Sequence, residues 1–274
     1  MKIHNFYIIT LVLAVLMCVA IGTLLVTEII FDENSFKEDS VVRSDSIVST
    51  SVVDTTHTEV SSNWAKGIDI SKYQGVINWD SLAPKISFAI CKATEGRTLV
   101  DTDFSRNWSD IKQSGRIRGA YHFYISSDDP ISQAEFFWSR LSSDYTNTDL
   151  PLVLDVETAS LRGNISKETL EGDVLTFLQK LQDLSGRVPM VYSNTYFANH
   201  YLTSTDFSKY PLWVAEYTSN ESPNVPKAWA SKGWNFWQKT DTYNVTDING
   251  EVDFDRYNGS FSSLHQFNVG TQKK

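Results

Sequence analysis

The sequence predicts an α/β domain in which parallel strands, joined by crossover helices, close into a barrel. Three observations carry that expectation. Short apolar runs recur along the chain, amphipathic stretches with helical spacing separate most of them, and four of the runs end in acidic residues. Alternation of strand and helix implies a parallel sheet, and in a parallel barrel the strand ends gather at one mouth.

Taken in order, strands are expected near residues 66 to 70, 88 to 93, 119 to 124, 152 to 157, 189 to 193, 211 to 216, 235 to 238 and 252 to 256. Helical patterns occupy roughly 103 to 114, 131 to 142, 166 to 185 and 195 to 202, and Ser166 has the hydroxyl expected of an N-cap. Loops between the last three strands are too short or irregular for full helices. The outer ring should therefore be incomplete there.

Ahead of this domain, Phe6 to Thr27 carries no charge, and its length of about 22 residues can span a bilayer. Lys2 and His4 precede it and Glu28, Asp32 and Glu33 follow, which places the N-terminus inside and the rest outside. Residues 1–30 are thus expected to form a transmembrane signal anchor. Cleavage as a signal peptide stays open, because Ala20-Ile21-Gly22 has the small-x-small pattern. Residues 31–63 turn to Ser, Thr, Val, Asp and Glu without periodicity and read as a disordered extracellular linker. Residues 64–265 form the expected folded domain and 266–274 a C-terminal tail. That leaves about 200 residues for one core. Of the two cysteines, Cys18 falls in the apolar run and Cys91 in a strand, so the domain has no internal disulfide and Cys91 is expected to be a buried thiol.

The chemistry starts at Leu152-Val153-Leu154-Asp155-Val156-Glu157. Strand side chains alternate, so Asp155 and Glu157 share a face with Val153, and that face turns from apolar to acidic toward its C-terminal end. Two neighbouring carboxylates titrate apart, one remaining a proton donor while the other stays charged, as glycosidases require. An isolated Asp-x-Glu at a strand end is more often a solvated or ion-paired group. Here Asp69, Glu95 and Asp253 end other strands, which tips the balance toward a site. A net charge of −9 and a pI near 5.0 argue against a nucleic-acid partner. Eight Trp, 12 Tyr and 15 Phe fill a core first and also suit stacking on sugar rings. The five histidines form no H-x-x-H or H-x-x-E-H pair, so no transition metal and no cofactor is expected, although the acid cluster leaves an all-oxygen Mg²⁺ site open.

In order along the chain stand Gly67-Ile-Asp69-Ile-Ser-Lys-Tyr-Gln-Gly75, Lys92-Ala-Thr-Glu95-Gly96, Gly119-Ala-Tyr121-His122-Phe123, Asp155-Val-Glu157, Leu212-Trp213-Val-Ala215-Glu-Tyr217, Trp237-Gln238 and Val252-Asp253-Phe. These resemble the ordered motifs of glycoside hydrolase family 25, the Chalaropsis-type lysozymes, over about residues 64 to 260. The resemblance implies a TIM-like flattened (β/α)5(β)3 barrel that cleaves the β-1,4 bond between N-acetylmuramic acid and N-acetylglucosamine in peptidoglycan. It matches Glu157 to the general acid, Asp155 to its partner carboxylate, and Asp69 and Asp253 to two further acids of the cleft. A crowd of Asp69, Asp155 and Asp253 is expected to raise the pKa of Glu157. Asp155 would orient the substrate's 2-acetamido group as internal nucleophile, giving retention, while an inverting route through an activated water stays open.

Tyr121, Tyr192, Trp213 and Tyr217 are candidates for stacking on or bonding the sugar, with core packing as the competing reading. Glu95 matches a family position but has Lys92 as a nearby partner. His122 alternates to the opposite face from Tyr121 and reads as structural. Val252-Asp253-Phe254-Asp255 departs from the family, many of whose members carry Leu and Asn after the acid. Asp255 would add charge on the face of Asp253. The expected partner is the peptidoglycan glycan strand, with the membrane engaged through the N-terminal helix, and the expected state is a monomer at the cell membrane with its barrel outside, or a secreted one if the signal is cleaved. A non-catalytic glycan-binding protein and a metal-dependent hydrolase are the rival readings.

Overall fold

The computed structural model describes residues 64–82, 86–245, 248 and 250–270. Its strands are β1 (Lys66–Ile70), β2 (Ile86–Glu95), β3 (Leu99–Val100), β4 (Ile117–Phe123), β5 (Val153–Asp155), β6 (Met190–Asn194), β7 (Leu212–Ala215), β8 (Phe236–Asn244) and β9 (Glu251–Tyr257). The α-helices are α1 (Phe104–Gln113), α2 (Pro130–Leu141), α3 (Lys167–Ser185), α4 (Thr195–Tyr201) and α5 (Phe261–Gly270). All eight expected strands form, and the four expected helices match to within a residue or two.

Parallel pairing runs β1-β2-β4-β5-β6-β7-β8, and β1 also pairs with β9, closing an eight-stranded barrel onto which β3 adds as a hairpin to β2. The expected parallel sheet needs one correction. β9 runs antiparallel to both β8 and β1, because the connection from Asn244 to Glu251 is too short for a crossover. The outer ring also departs from five complete β/α units. Among the described residues, α-helices follow β2, β4, β5 and β6, whereas the β1–β2 connection carries only a single 3-10 turn at Lys72–Gln74. Beyond α4 the ring thins as expected, to 3-10 turns between β6 and β8 and a hairpin between β8 and β9.

Capping explains where the helices start. Ser166 Oγ accepts from the Thr169 N–H, Asp129 from Ser132 with Pro130 next in the first turn, and Asn194 from Phe197. Gly186, at φ 70°, closes α3 in the left-handed conformation that favours glycine.

The period-2 alternation of the strands produces two cores. Outward residues such as Leu152, Leu154, Val156, Val191 and Val214 meet the helix faces at Trp108, Phe137, Val174 and Phe177. Inward residues Phe88, Ile90, Val153, Met190 and Phe236 fill the barrel's lower half. Gly67 leaves the space that Phe88 needs, since a Cβ there would lie 2.2 Å from its ring. Leu264 and Phe267 of α5 pack onto this inner core, Phe267 against Phe236 and Tyr257. The helix continues across 265/266, where the tail was expected to begin, and the Asn268 carbonyl accepts from Arg187 while its side chain donates to the Thr148 carbonyl.

Cys91 is buried, and burial pushes its thiol far up. Among the described residues no helix is long and apolar enough to cross a membrane. The anchor expected at 1–30 and the linker expected at 31–63 lie outside the described residues.

Candidate active site

With the lower barrel plugged, the C-terminal ends of the parallel strands and the N-terminal end of the antiparallel β9 surround an open cavity of about 340 Å³, within the usual range of ligand pockets. Asp155 is the last residue of β5, in register with Phe123 of β4 and Tyr192 of β6. The ladder stops there, but Glu157 keeps an extended backbone (φ −148°, ψ −174°), so the alternation carries one step further. Both carboxylates therefore line the cavity while Val156 packs outward. The Glu157 N–H donates to Ser160 Oγ at 3.1 Å, holding the turn that follows the pair.

Asp69 and Asp253 arrive from the ends of β1 and β9, directly opposite one another in the antiparallel register, and both line the cavity. The barrel thus gathers all four acids proposed from the sequence. Tyr121, Tyr192, Trp213 and Tyr217 line it as well. Glu95 does not reach it. Its carboxylate is held 2.7 Å from Lys92 Nζ, and Lys92 is the residue that faces the cavity. His122 lies on the outer side, fully buried, with its ring nitrogens on Thr94 Oγ1 and Gln133 Oε1 and its face stacked on Phe177.

The electrostatics of the acids differ from the sequence expectation in their cause. Burial, more than neighbouring charge, raises the Glu157 carboxyl; Asp253 adds to the rise and Lys92 opposes it. Asp155 is deeper and is raised well above the ordinary carboxylate range, first by burial and then by the charge of Glu157. Asp69 is raised well above that range by burial, then by Asp253 and Asp255, against a lowering hydrogen bond from Gln238. Burial raises Asp253 too, and a hydrogen bond with Asp69 opposes the rise. Asp255 follows the alternation to the same face but lies wholly buried beneath the cavity, where its Oδ1 accepts from Trp213 Nε1 at 2.8 Å. Burial raises it too.

Gln238 of β8, quoted in the Trp237-Gln238 motif but given no role there, is the hub of the site. Its Oε1 accepts from both Tyr192 and Tyr217 hydroxyls at 2.8 Å, and its Nε2 donates to Asp69 Oδ2 at 2.8 Å. A polar residue next to Trp237 in a buried strand was the available signal. Asp155 Oδ1 is buried and has no hydrogen-bond partner among the described residues. Buried carboxylate oxygens are rarely left so, and the residue that carries this one lines the cavity. Among the described residues no three His, Cys, Asp or Glu side chains stand in an arrangement that could hold a metal ion. Proton donors at graded depth, polar anchors and aromatic walls equip the cavity for acid-assisted cleavage of a saccharide.

The model of the family described as glycosyl hydrolases family 25 matches residues 68–248. YegX of Escherichia coli (strain K12) is 37% identical over 213 residues, covering 76% of this chain and 74% of its own length. Lysozyme M1 of Streptomyces globisporus is 33% identical over 212 residues, covering 73% of this chain and 69% of its own. Among solved structures, the bacterial lysozyme from Streptomyces coelicolor superposes with a TM-score of 0.70 at 31% identity, covering 78% of this chain and all of that one.

Proposed function

The chain belongs to glycosyl hydrolase family 25, and from that premise we propose that it is a peptidoglycan muramidase, hydrolysing the β-1,4 bond between N-acetylmuramic acid and N-acetylglucosamine. The observation that carries this reading is the pair Asp155 and Glu157 on one face of the barrel mouth, at different depths, with Asp69 and Asp253 beside them. Lysozymes among the relatives support the substrate class.

Glu157, less buried than Asp155 and raised above its ordinary range, donates a proton to the departing sugar oxygen. Asp155, which lines the cavity, accepts the N–H of the substrate's 2-acetamido group and presses the carbonyl oxygen toward the anomeric carbon. The C1–O bond to the leaving sugar breaks as that oxygen bonds to C1. Water then opens the resulting oxazolinium ring, giving its proton to Glu157, so configuration is retained. Asp69 and Asp253, opposite one another on β1 and β9, line the cavity beside this pair and keep that wall polar. One chain supplies all four acids, so a monomer suffices.

Digestion of purified peptidoglycan, followed by borohydride reduction and mass analysis, tests the reading. Muramitol ends are expected; glucosaminitol ends alone, or no new ends, would refute it. The uncharged run at residues 6–27 further supports attachment to a membrane with the barrel outside. The full chain should then sediment with membranes, whereas recovery from culture fluid with an N-terminus near Thr23 would show a cleaved signal instead.

A further inference from the structure

We infer that a second depression, over the ends of β5, β6 and β7, binds the sugar on the reducing-end side of the scissile bond, with Tyr196 as its stacking platform. The inference rests on the muramidase reading and adds to it the direction in which the glycan lies. This depression has a volume of about 400 Å³ and is lined by Glu157, Tyr192, Thr195, Tyr196, Glu216 and Tyr217, among others. It shares Glu157, Tyr192 and Tyr217 with the main cavity, but Asp69, Asp155 and Asp253 face the main cavity alone. Glu157 is thus the one proposed catalytic carboxylate that borders both spaces.

That asymmetry sets the polarity. The sugar whose acetamido group meets Asp155 must sit in the main cavity, and the general acid must touch the oxygen that leaves with the other sugar. The leaving sugar therefore lies on the far side of Glu157, in the second depression.

Tyr196 gives this space a binding surface. It is 82% exposed at the start of α4, next to the Asn194 cap, on a short helix fixed by Phe197 in the outer core. A single exposed ring is ordinary on a protein surface. This one lines a depression continuous with a proposed catalytic acid, and rings in that setting stack on the apolar faces of pyranoses. The polar side of the depression is braced rather than loose: Thr195 Oγ1 donates to the Asn224 carbonyl at 2.9 Å, and Glu216 Oε1 accepts from Asn224 Nδ2 at 2.7 Å. Across the mouth, Tyr73 is 81% exposed on the β1–β2 connection and lines the main cavity, marking the opposite, non-reducing end of the track.

The test compares wild type with Tyr196→Ala on two substrates that share the same non-reducing portion, one with a sugar and one, as the glycosyl fluoride, with fluoride beyond the scissile bond, so that only the first can occupy the second depression. Stacking on one ring corresponds to about a three- to tenfold effect on kcat/KM. Tyr196→Ala should lose kcat/KM by that factor on the substrate with a leaving sugar and keep the wild-type value on the fluoride. Tyr196→Phe should behave as wild type on both, since the ring face is kept. An unchanged ratio of kcat/KM between the two substrates in Tyr196→Ala overturns the inference and leaves the muramidase reading standing. If wild type cleaves none of these substrates, the muramidase reading fails and the inference falls with it.

Discussion

Replacing Gln238 by Met removes the polar hub of the site while nearly preserving its volume. Three hydrogen bonds of 2.8 Å disappear, but they do not count equally. The Tyr217 side chain is 55% exposed and its hydroxyl can turn to water, so that bond contributes little. The Tyr192 hydroxyl is buried and loses its acceptor, and a stranded buried donor costs about 1–3 kcal/mol. Asp69 Oδ2, also buried, loses its donor at a similar cost. Together the substitution should destabilise the barrel by about 2–6 kcal/mol. For a domain of this size that is a fall in Tm of roughly 4–24 °C by calorimetry. Adding Tyr192→Phe removes the stranded donor and should restore part of the loss, because deleting both partners costs less than deleting one. A single variant within about 2 °C of wild type, or a double variant whose loss is the sum of the two single losses, would refute the hub.

The remaining expectations concern charge and chemistry. Glu157→Gln should keep the fold and lose at least about two orders of magnitude in turnover of purified peptidoglycan, the usual worth of general acid catalysis, and Asp155→Asn should lose a comparable amount; near-normal rates in either would sink the assignment. Asp69, Asp155, Glu157, Asp253 and Asp255 all have raised folded-state values, so the native state holds their protons more tightly than the unfolded chain does. Their contribution is complete below the ordinary carboxylate range and lost as pH rises through the raised values. Asp144 runs the other way, lowered to about 2 by its hydrogen bonds to Arg118 and Lys112, so its contribution is lost only as pH falls toward that value. Tm should therefore peak in mildly acid solution and decline toward pH 8, and Asp255→Asn, which keeps an acceptor for Trp213 without a charge, should flatten that decline. A Tm that rises steadily to pH 8 would contradict this. Proton NMR of fresh hydrolysis product should show the β-anomer first; initial α-anomer would exclude the acetamido group as nucleophile.

What the sequence by itself determined is what local backbone geometry dictates. Side-chain alternation along an extended chain was enough to put Asp155 and Glu157 on one face, and His122 on the opposite face from Tyr121. The 3.6-residue period and the Ser166 cap set the helices to within a residue or two, and the resemblance of the strand-end motifs pointed to the acids at 69 and 253. Tertiary structure alone decided which distant residues meet. Closure of β1 on β9 sets Asp69 against Asp253, and the barrel's register brings Gln238 to Asp69, Tyr192 and Tyr217. No sequence period encodes such contacts, because they depend on how many strands close the sheet and how they stagger. The antiparallel turn of β9 followed from a loop too short for a crossover. The capture of Glu95 by Lys92 was a competition between two nearby outcomes that only packing could resolve. The raised carboxyls of the site owe most to burial, which no residue has until the barrel closes and water leaves its interior.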